Sequence, residues 1–304
     1  MSNFHTSALL KETIDFLKIR KGKKYVDATI GGGGHGFEIL RHGGILLGID
    51  VDEDSIQYVE EKWKIESKKW NINEKNLILA KGNFRDIDKI AHLHGFGSAF
   101  GVLFDLGVSS YQLDTPERGF SFGHNGPLDM RMSKDLAVKA ADLVNALTKG
   151  ELYEVYHRLG EEHYAKVLAF ATVVARKVKP IETTFELAEI VKKSVSKYGD
   201  RINPATRIFQ ALRIAVNDEL NSVKEALPKA VNLLEKGGRL AAISFHSLED
   251  RIVKHTFEDF EKQGKGIILT KKPIIPTIAE QQANRRSRSA KLRIFSAKGG
   301  SVSG

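Results

Sequence analysis

The stretch Asp27-Ala-Thr-Ile-Gly-Gly-Gly-Gly-His35-Gly36 constrains this chain more than any other. Lys24-Tyr-Val before it is β-like, and Phe37-Glu-Ile-Leu40 after it reads as helical. A strand, a glycine turn and a helix form the opening unit of a mononucleotide-binding α/β sheet. Glycine admits positive φ and, without a Cβ, lets a ligand approach the backbone. Residues Gly31 to Gly36 fit the pattern G-x-G-x-x-G. Alone the match is weak, because four consecutive glycines also suit a mobile loop. The rest of the chain has to supply the other strands.

It does so at regular intervals. Ile45-Leu-Leu-Gly-Ile-Asp50 is an apolar run ending in an acid, as expected of a strand buried on both faces of a parallel sheet. Asp50 lies 17 residues after Gly33, where nucleoside-binding sheets place their ribose-hydroxyl acceptor. The plainer reading of Asp50-Val-Asp52 is the acidic start of the next helix, roughly 54 to 69. Leu77-Ile-Leu-Ala80 predicts a third strand, with Phe84 just beyond it. Phe84 is either core or a flank for an adenine ring. Ala99-Phe-Gly-Val-Leu-Phe-Asp105 predicts a fourth strand, again ending in an acid. Three β-α units in this order predict a doubly wound sheet.

After Asp105 the rhythm breaks. Residues 106–132 are rich in turn-formers, yet carry two phenylalanines, two methionines and paired charges that argue against disorder. Helical patterns follow over 140–146 and 151–177, the latter with a break at Gly160. Thr183-Thr-Phe-Glu186 predicts a capping box for a helix to about Lys197, stopped by Tyr198-Gly199. Residues 113–205 therefore read as a helical insertion, and 1–112 with 206–304 as the sheet domain. Asn203-Pro204 predicts the start of a helix carrying Ile208, Leu212, Val216 and Leu220 on one face, with Gly237-Gly238 ending the helical region. Arg239 to Ser244 predicts a fifth strand, Ser247-Leu-Glu-Asp250 the cap of another helix, and 266–270 and 291–295 the last two strands. An N-terminal helix is expected over 8–18, ended by Gly22.

Composition narrows the chemistry. The 304 residues include no cysteine, so thiolate metal sites, disulfides and thiol nucleophiles are excluded. The ten histidines are scattered without H-E-x-x-H spacing, and no metal-ligand cluster is visible. No Gly-Lys-Ser/Thr follows the glycines, which excludes a Walker phosphate loop. No apolar run approaches membrane-spanning length and the N-terminus lacks a signal-peptide pattern, so a cytoplasmic protein with no membrane partner is expected. The net charge of +9 favours polyanion partners. A hydride-transfer enzyme would share the glycine loop and the acid of the second strand. Against it, Asp27 stands four residues before the glycines, a placement typical of sheets that bind S-adenosylmethionine.

Long blocks then give a closer likeness. They are Tyr25-Val-Asp-Ala-Thr, Gly-Gly-Gly-His35, Gly48-Ile-Asp50, Asp105-Leu-Gly-Val-Ser-Ser110, Glu117-Arg-Gly-Phe-Ser-Phe122, Gly126-Pro-Leu-Asp-Met-Arg-Met132, Pro204-Ala-Thr-Arg, Phe209-Gln-Ala-Leu-Arg-Ile and Ile243-Ser-Phe-His-Ser-Leu-Glu-Asp-Arg-Ile-Val253. The chain resembles, over essentially its whole length, the bacterial ribosomal RNA small subunit methyltransferase H family, also called MraW. The resemblance implies an S-adenosylmethionine-dependent methyltransferase sheet with a helical insertion for substrate recognition. It implies methyl transfer to the N4 amine of a cytidine in the decoding region of 16S rRNA. Carried onto matching positions, it implies donor contacts at Gly33, Gly34, His35, Asp50, Phe84, Asp105 and Gln112. His35 has the alternative role of holding the loop. The family usually has proline where this chain has Ser7, Tyr111 and Arg285, which bears on local backbone shape and RNA docking.

The missing thiol fits that reaction. Methylation of cytosine at carbon 5 needs a thiolate adduct, whereas an exocyclic amine attacks the sulfonium methyl directly. The amine is weakly nucleophilic, so a proton acceptor facing it helps. The candidates are Asp105 first, then Asp129 and His246; their duller roles are donor ligand, arginine partner and helix cap. The base must be unpaired or flipped to reach such a site. Arg118, Arg131, Arg207, Arg213, Arg285, Arg286 and Arg288 are candidate phosphate contacts, and Phe120 and Phe122 are stacking or core residues. Two alternatives stay open: a DNA amino-methyltransferase, disfavoured because Asp-Leu-Gly-Val replaces the usual Pro-Pro-containing motif, and a non-catalytic RNA-binding assembly factor.

Overall fold

The computed structural model describes residues 7–195, 203 and 205–298. These form two compact units, one from the residues up to Gly107 together with those from Leu220, the other from Val108–Glu219. The first unit opens with α1 (Leu10–Leu17), β1 (Lys24–Asp27), α2 (Gly34–Arg41), β2 (Ile45–Asp50), α3 (Glu53–Trp70), β3 (Leu77–Lys81), α4 (Ile87–Leu93) and β4 (Ala99–Asp105). The expected strands lie where the apolar runs placed them. The N-terminal helix closes at Lys18, the expected last residue, which takes the left-handed conformation; Gly22, expected to end it, lies in the turn beyond. Asp52 caps α3 by accepting the Asp54 N–H at 3.2 Å, so it serves the helix start.

The second unit holds α5 (Ser110–Asp114), α6 (Ala140–Ala146), α7 (Lys149–Glu154), α8 (Ala165–Val178), α9 (Thr184–Ser194) and α10 (Ala205–Asn217). Its own core joins Phe120, Leu128 and Met130 of the long loop to Tyr156, Leu168, Leu187, Ile208 and Leu212 of the helices. A π-helical turn, Val155–Leu159, follows α7 and ends at Gly160, the expected break. The Thr183 capping box is present, with Glu186 accepting the Thr183 N–H at 3.0 Å. Tyr198, Gly199 and Pro204 lie outside the described residues, as does the expected last turn of α9 at Lys197. Asn203 does cap α10, its side chain accepting the Ala205 N–H at 2.9 Å. The unit's limits lie at 108 and 219 rather than at 113 and 205, because α10 packs into the helical core.

The chain then returns with α11 (Glu219–Asn232), β5 (Leu234–Ser244), α12 (Ser247–Lys262), β6 (Gly266–Ile268), α13 (Ile278–Ala283) and β7 (Lys291–Ala297). Leu220 does not continue the α10 face: Asp218, at φ 49°, separates the two helices. Gly237 and Gly238 lie within β5 rather than ending a helix. The sheet order is β3-β2-β1-β4-β5-β7-β6. Strands β1 to β5 run parallel, and β7 is antiparallel to β5 and β6. β4 is buried throughout except at Asp105, as a strand covered on both faces must be. The strand order reverses between β1 and β4, and in open sheets that crevice at the carboxyl ends receives the ligand.

Candidate active site

Three acids end the three strands around that crevice: Asp27 on β1, Asp50 on β2 and Asp105 on β4. The glycine loop fills the space above them. Gly33 caps α2 at φ 80°, a left-handed conformation costly for other residues. At Gly36 an added Cβ would stand 2.5 Å from Ile30 Cδ1 and 2.8 Å from Leu46 Cδ2, so a side chain there would have to push two buried methyl groups aside. Gly34 follows directly on the cap, with its position crowded by Ser7.

Asp50 holds the loop from the side. Its Oδ2 accepts the Gly31 N–H and its Oδ1 the Asp52 N–H, both at 2.9 Å. Each oxygen keeps a further lone pair for a hydroxyl. Burial pushes the Asp50 carboxyl up to about 6, with these two amides opposing the rise. Asp27 is buried, and its Oδ1 accepts the Thr29 N–H at 3.1 Å. Burial pushes its carboxyl up to about 7, against the pull of the nearby His35. Thr29 joins β1 to β4, its Oγ1 accepting the Asp105 N–H at 2.7 Å.

Asp105 carries the feature that points to a ligand. Its Oδ2 lies 3.4 Å from His35 Nδ1, while its Oδ1 is buried and has no hydrogen-bond partner among the described residues. An acceptor left so inside a protein is costly unless something donates to it. Phe84 stands half-buried beyond β3, edge-on to Phe104 at 5.7 Å between ring centres, and can flank a planar base. The His35 ring spends both nitrogens inside the protein, on Asp105 and on the Ala8 carbonyl at 3.2 Å. A ligand would therefore meet its backbone rather than its ring.

The remaining candidates have local partners. Gln112 forms a capping box in the second unit, its side-chain oxygen accepting the Ser109 N–H at 3.1 Å. Asp129 is clamped by Arg131, at 2.8 and 2.9 Å to its two oxygens. Burial raises the Asp129 carboxyl, but Arg131 outweighs it and the net position is below the usual carboxylate range, which suits an ion pair better than a base. His246 caps α12, one residue before the expected Ser247, with Nε2 3.1 Å from Glu249 Oε1. Arg118 is buried and donates to the Arg131 and Met132 carbonyls at 3.0 and 2.9 Å; it organises the loop instead of meeting phosphate. Arg131 also donates to the carbonyls of Lys134 and Leu136. Arg213 forms a two-point pair with Glu219 at 2.8 Å, and Arg207 donates to the Glu161 carbonyl at 3.0 Å. Phe120 is core, and Phe122 packs on Phe209 at 5.0 Å. Arg285, Arg286 and Arg288 lie exposed on a short 3-10 turn, Arg285–Ser289. Thr29, which cross-links the two acid-bearing strands, was not expected; its only sequence sign is its place between Asp27 and the glycines.

The model of the MraW methylase family matches residues 2–298. The chain belongs to the MraW methylase family. It is 45% identical over 300 residues to the Ribosomal RNA small subunit methyltransferase H of Coprothermobacter proteolyticus, covering 97% of each chain. It is 48% identical over 294 residues to the protein of the same name from Persephonella marina, covering 95% of this chain and 98% of that one. A solved rRNA methylase from Streptococcus thermophilus shares 13% identity over 94% of each chain at a TM-score of 0.44, too distant to bear on the assignment. As a member of this family the chain is a methyltransferase whose methyl donor is S-adenosylmethionine. The glycine cradle and the paired amides on Asp50 fit that donor. Among the described residues no helix is long and apolar enough to cross a membrane.

Proposed function

We propose that this methyltransferase modifies 16S rRNA, at the exocyclic N4 amine of a cytidine in the decoding region, within the small ribosomal subunit or a late precursor of it. The names of its relatives support ribosomal RNA as the substrate class. The observation that carries the reading is the buried, unpartnered Oδ1 of Asp105 at the strand-order switch. A carboxylate there accepts an N–H from an amine and takes its proton, which suits an aminated base.

Bound S-adenosylmethionine supplies an electrophilic methyl group on a sulfonium. Asp50 accepts the ribose hydroxyls, Phe84 covers the adenine, and the backbone of Gly33, Gly34 and His35 lines the methionine side. Gln112 is kept as a further donor contact on the strength of the family resemblance. Asp105 Oδ1 receives an N–H of the target amine, fixes its approach and holds the released proton. Positioning of two reactants accounts for most of such a rate gain. The helical unit, 108–219, is assigned to substrate recognition, and Arg285, Arg286 and Arg288 to phosphate contact.

The test is transfer of labelled methyl groups to isolated small subunits, free 16S rRNA and DNA, with mass mapping of the nucleoside formed. N4-methylcytidine on the RNA substrates alone is expected. Label on DNA alone would assign the DNA amino-methyltransferase reading, and tight donor binding with no label on any substrate would assign the assembly-factor reading.

A further inference from the structure

His35 sits on the first turn of α2 and is 3% exposed. Nε2 faces the Ala8 carbonyl at 3.2 Å and Nδ1 faces Asp105 Oδ2 at 3.4 Å. A carbonyl only accepts, so Nε2 carries a hydrogen. An ionised carboxylate only accepts, so Nδ1 carries one too. The surroundings therefore suit an imidazolium with both N–H groups engaged. Its acceptors are fixed independently of any ligand. The Leu9 N–H donates to Glu280 Oε1 at 2.8 Å, which anchors the Ala8 carbonyl. The Asp105 backbone is tied to Thr29, and Thr29 to Asp27, at 2.7 and 3.1 Å.

The charged groups acting on His35 are Asp105 from β4 and Asp27 from β1; Asp50 from β2 acts in turn on Asp27. Burial works against the charge on His35, but the Asp105 hydrogen bond and the charges of both acids outweigh it, and the net shift is upward. A neutral ring could satisfy only one of its two acceptors as a donor.

We propose that His35 is a positioning residue that acts through Asp105. By donating from Nδ1 to Oδ2 it sets the carboxyl rotamer and leaves Oδ1 as the acceptor for the target amine. This rests on the assignment of Asp105 as proton acceptor given above. In the transfer the amine nitrogen forms the new bond to the methyl carbon, and the sulfur keeps the electron pair of the bond that breaks. One N–H proton passes to Asp105 Oδ1, while His35 keeps both of its hydrogens. The proton then leaves Asp105 for water, which restores the acceptor for the next turnover.

The test uses the full-length protein with [15N]histidine and bound S-adenosylhomocysteine. The His35 signals are assigned by their loss in His35→Gln. Both ring nitrogens are expected to be protonated at pH 7 and to titrate above the usual histidine range, and Asp105→Asn is expected to return the ring toward that range. In single-turnover methylation, His35→Gln is expected to slow transfer about tenfold or more and to move the acid limb of the rate profile to higher pH. Its affinity for S-adenosylhomocysteine should change far less. A neutral His35 ring at pH 7 overturns the proposal, as does a variant that loses product affinity while its acid limb stays in place. Should His35→Gln fail to fold, the response of the wild-type ring to Asp105→Asn decides, with its signal then assigned from the Asp105→Asn difference. A wild-type enzyme that methylates no cytidine amine defeats the assigned function, whereas an active enzyme with a neutral ring defeats only the role of His35.

Discussion

At the scale of single residues, the site is a contest between burial and charge. Asp27, Asp50 and His35 all hold protons more tightly in the folded protein than in the open chain. For Asp27 the shift runs from 3.8 to about 7. The folded state then binds more protons than the unfolded one between these values, so stability falls as pH rises through that window. At pH 8 the ionised Asp27 costs about 4 kcal/mol, from three pKa units at 1.36 kcal/mol each. The raised His35 acts in the same direction, its contribution being lost as pH rises through its folded value. The ligand-free protein should therefore melt at a lower temperature at pH 8 than at pH 5. Asp27→Asn, which keeps the Thr29 acceptor, should flatten that slope and gain most at pH 8. A thermal melt series across this range checks both, and equal slopes would defeat the burial account. Asp105→Asn is the matching kinetic prediction. Its side-chain amide cannot take a proton, so transfer should fall by about 10²–10⁴-fold. Single-turnover rates at saturating donor check it; unchanged rates would leave Asp105 as a donor ligand only.

At the scale of elements, α2 is held against β2 by the absence of one side chain. Alanine at Gly36 would gain up to about 1 kcal/mol in helix propensity. It would also press on Ile30 and Leu46, both buried, at 2.5 and 2.8 Å. Overpacking of this kind costs about 1–3 kcal/mol. Gly36→Ala should therefore destabilise by about 1 kcal/mol net and weaken donor binding, because α2 and its cap move together. Denaturant unfolding with and without S-adenosylhomocysteine measures the two effects. The elements that position the site were legible because parallel strands buried on both faces read as unbroken apolar runs, and Asp50 and Asp105 mark where two of them end. The helix breaks were less so. Asp218 adopts a left-handed conformation without being glycine, so nothing in the sequence separates α10 from α11. Gly237-Gly238 reads as a helix stop, yet it lies within β5, in an irregularity between Leu234 and Arg239, which pair with Ala99 and Gly101 of β4. The burial of Arg118 depends on the loop folding back on itself, which no local pattern encodes.

At the scale of the molecule, the charge of +9 has to be placed before it explains anything. Several arginines that the sequence offers for phosphate are spent internally, Arg118 on carbonyls, Arg131 on Asp129 and Arg213 on Glu219. Arg285, Arg286 and Arg288 are exposed together on a turn whose backbone Asn284 fixes by accepting the Arg286 N–H at 3.1 Å. Each phosphate neutralised on a single strand adds about 0.7 to the steepness of log affinity against log salt. If all three arginines meet phosphates, replacing them by glutamine should reduce that slope by about 2, and weaken RNA binding most at low salt. Affinity for S-adenosylhomocysteine and the melting temperature should hold, because the substitutions leave the glycine loop and the three acids untouched. RNA binding measured from 50 to 200 mM salt for the wild-type and triple variant separates the outcomes. A parallel slope would mean that these arginines do not meet phosphate, and would move the search for the RNA track to the other exposed basic residues.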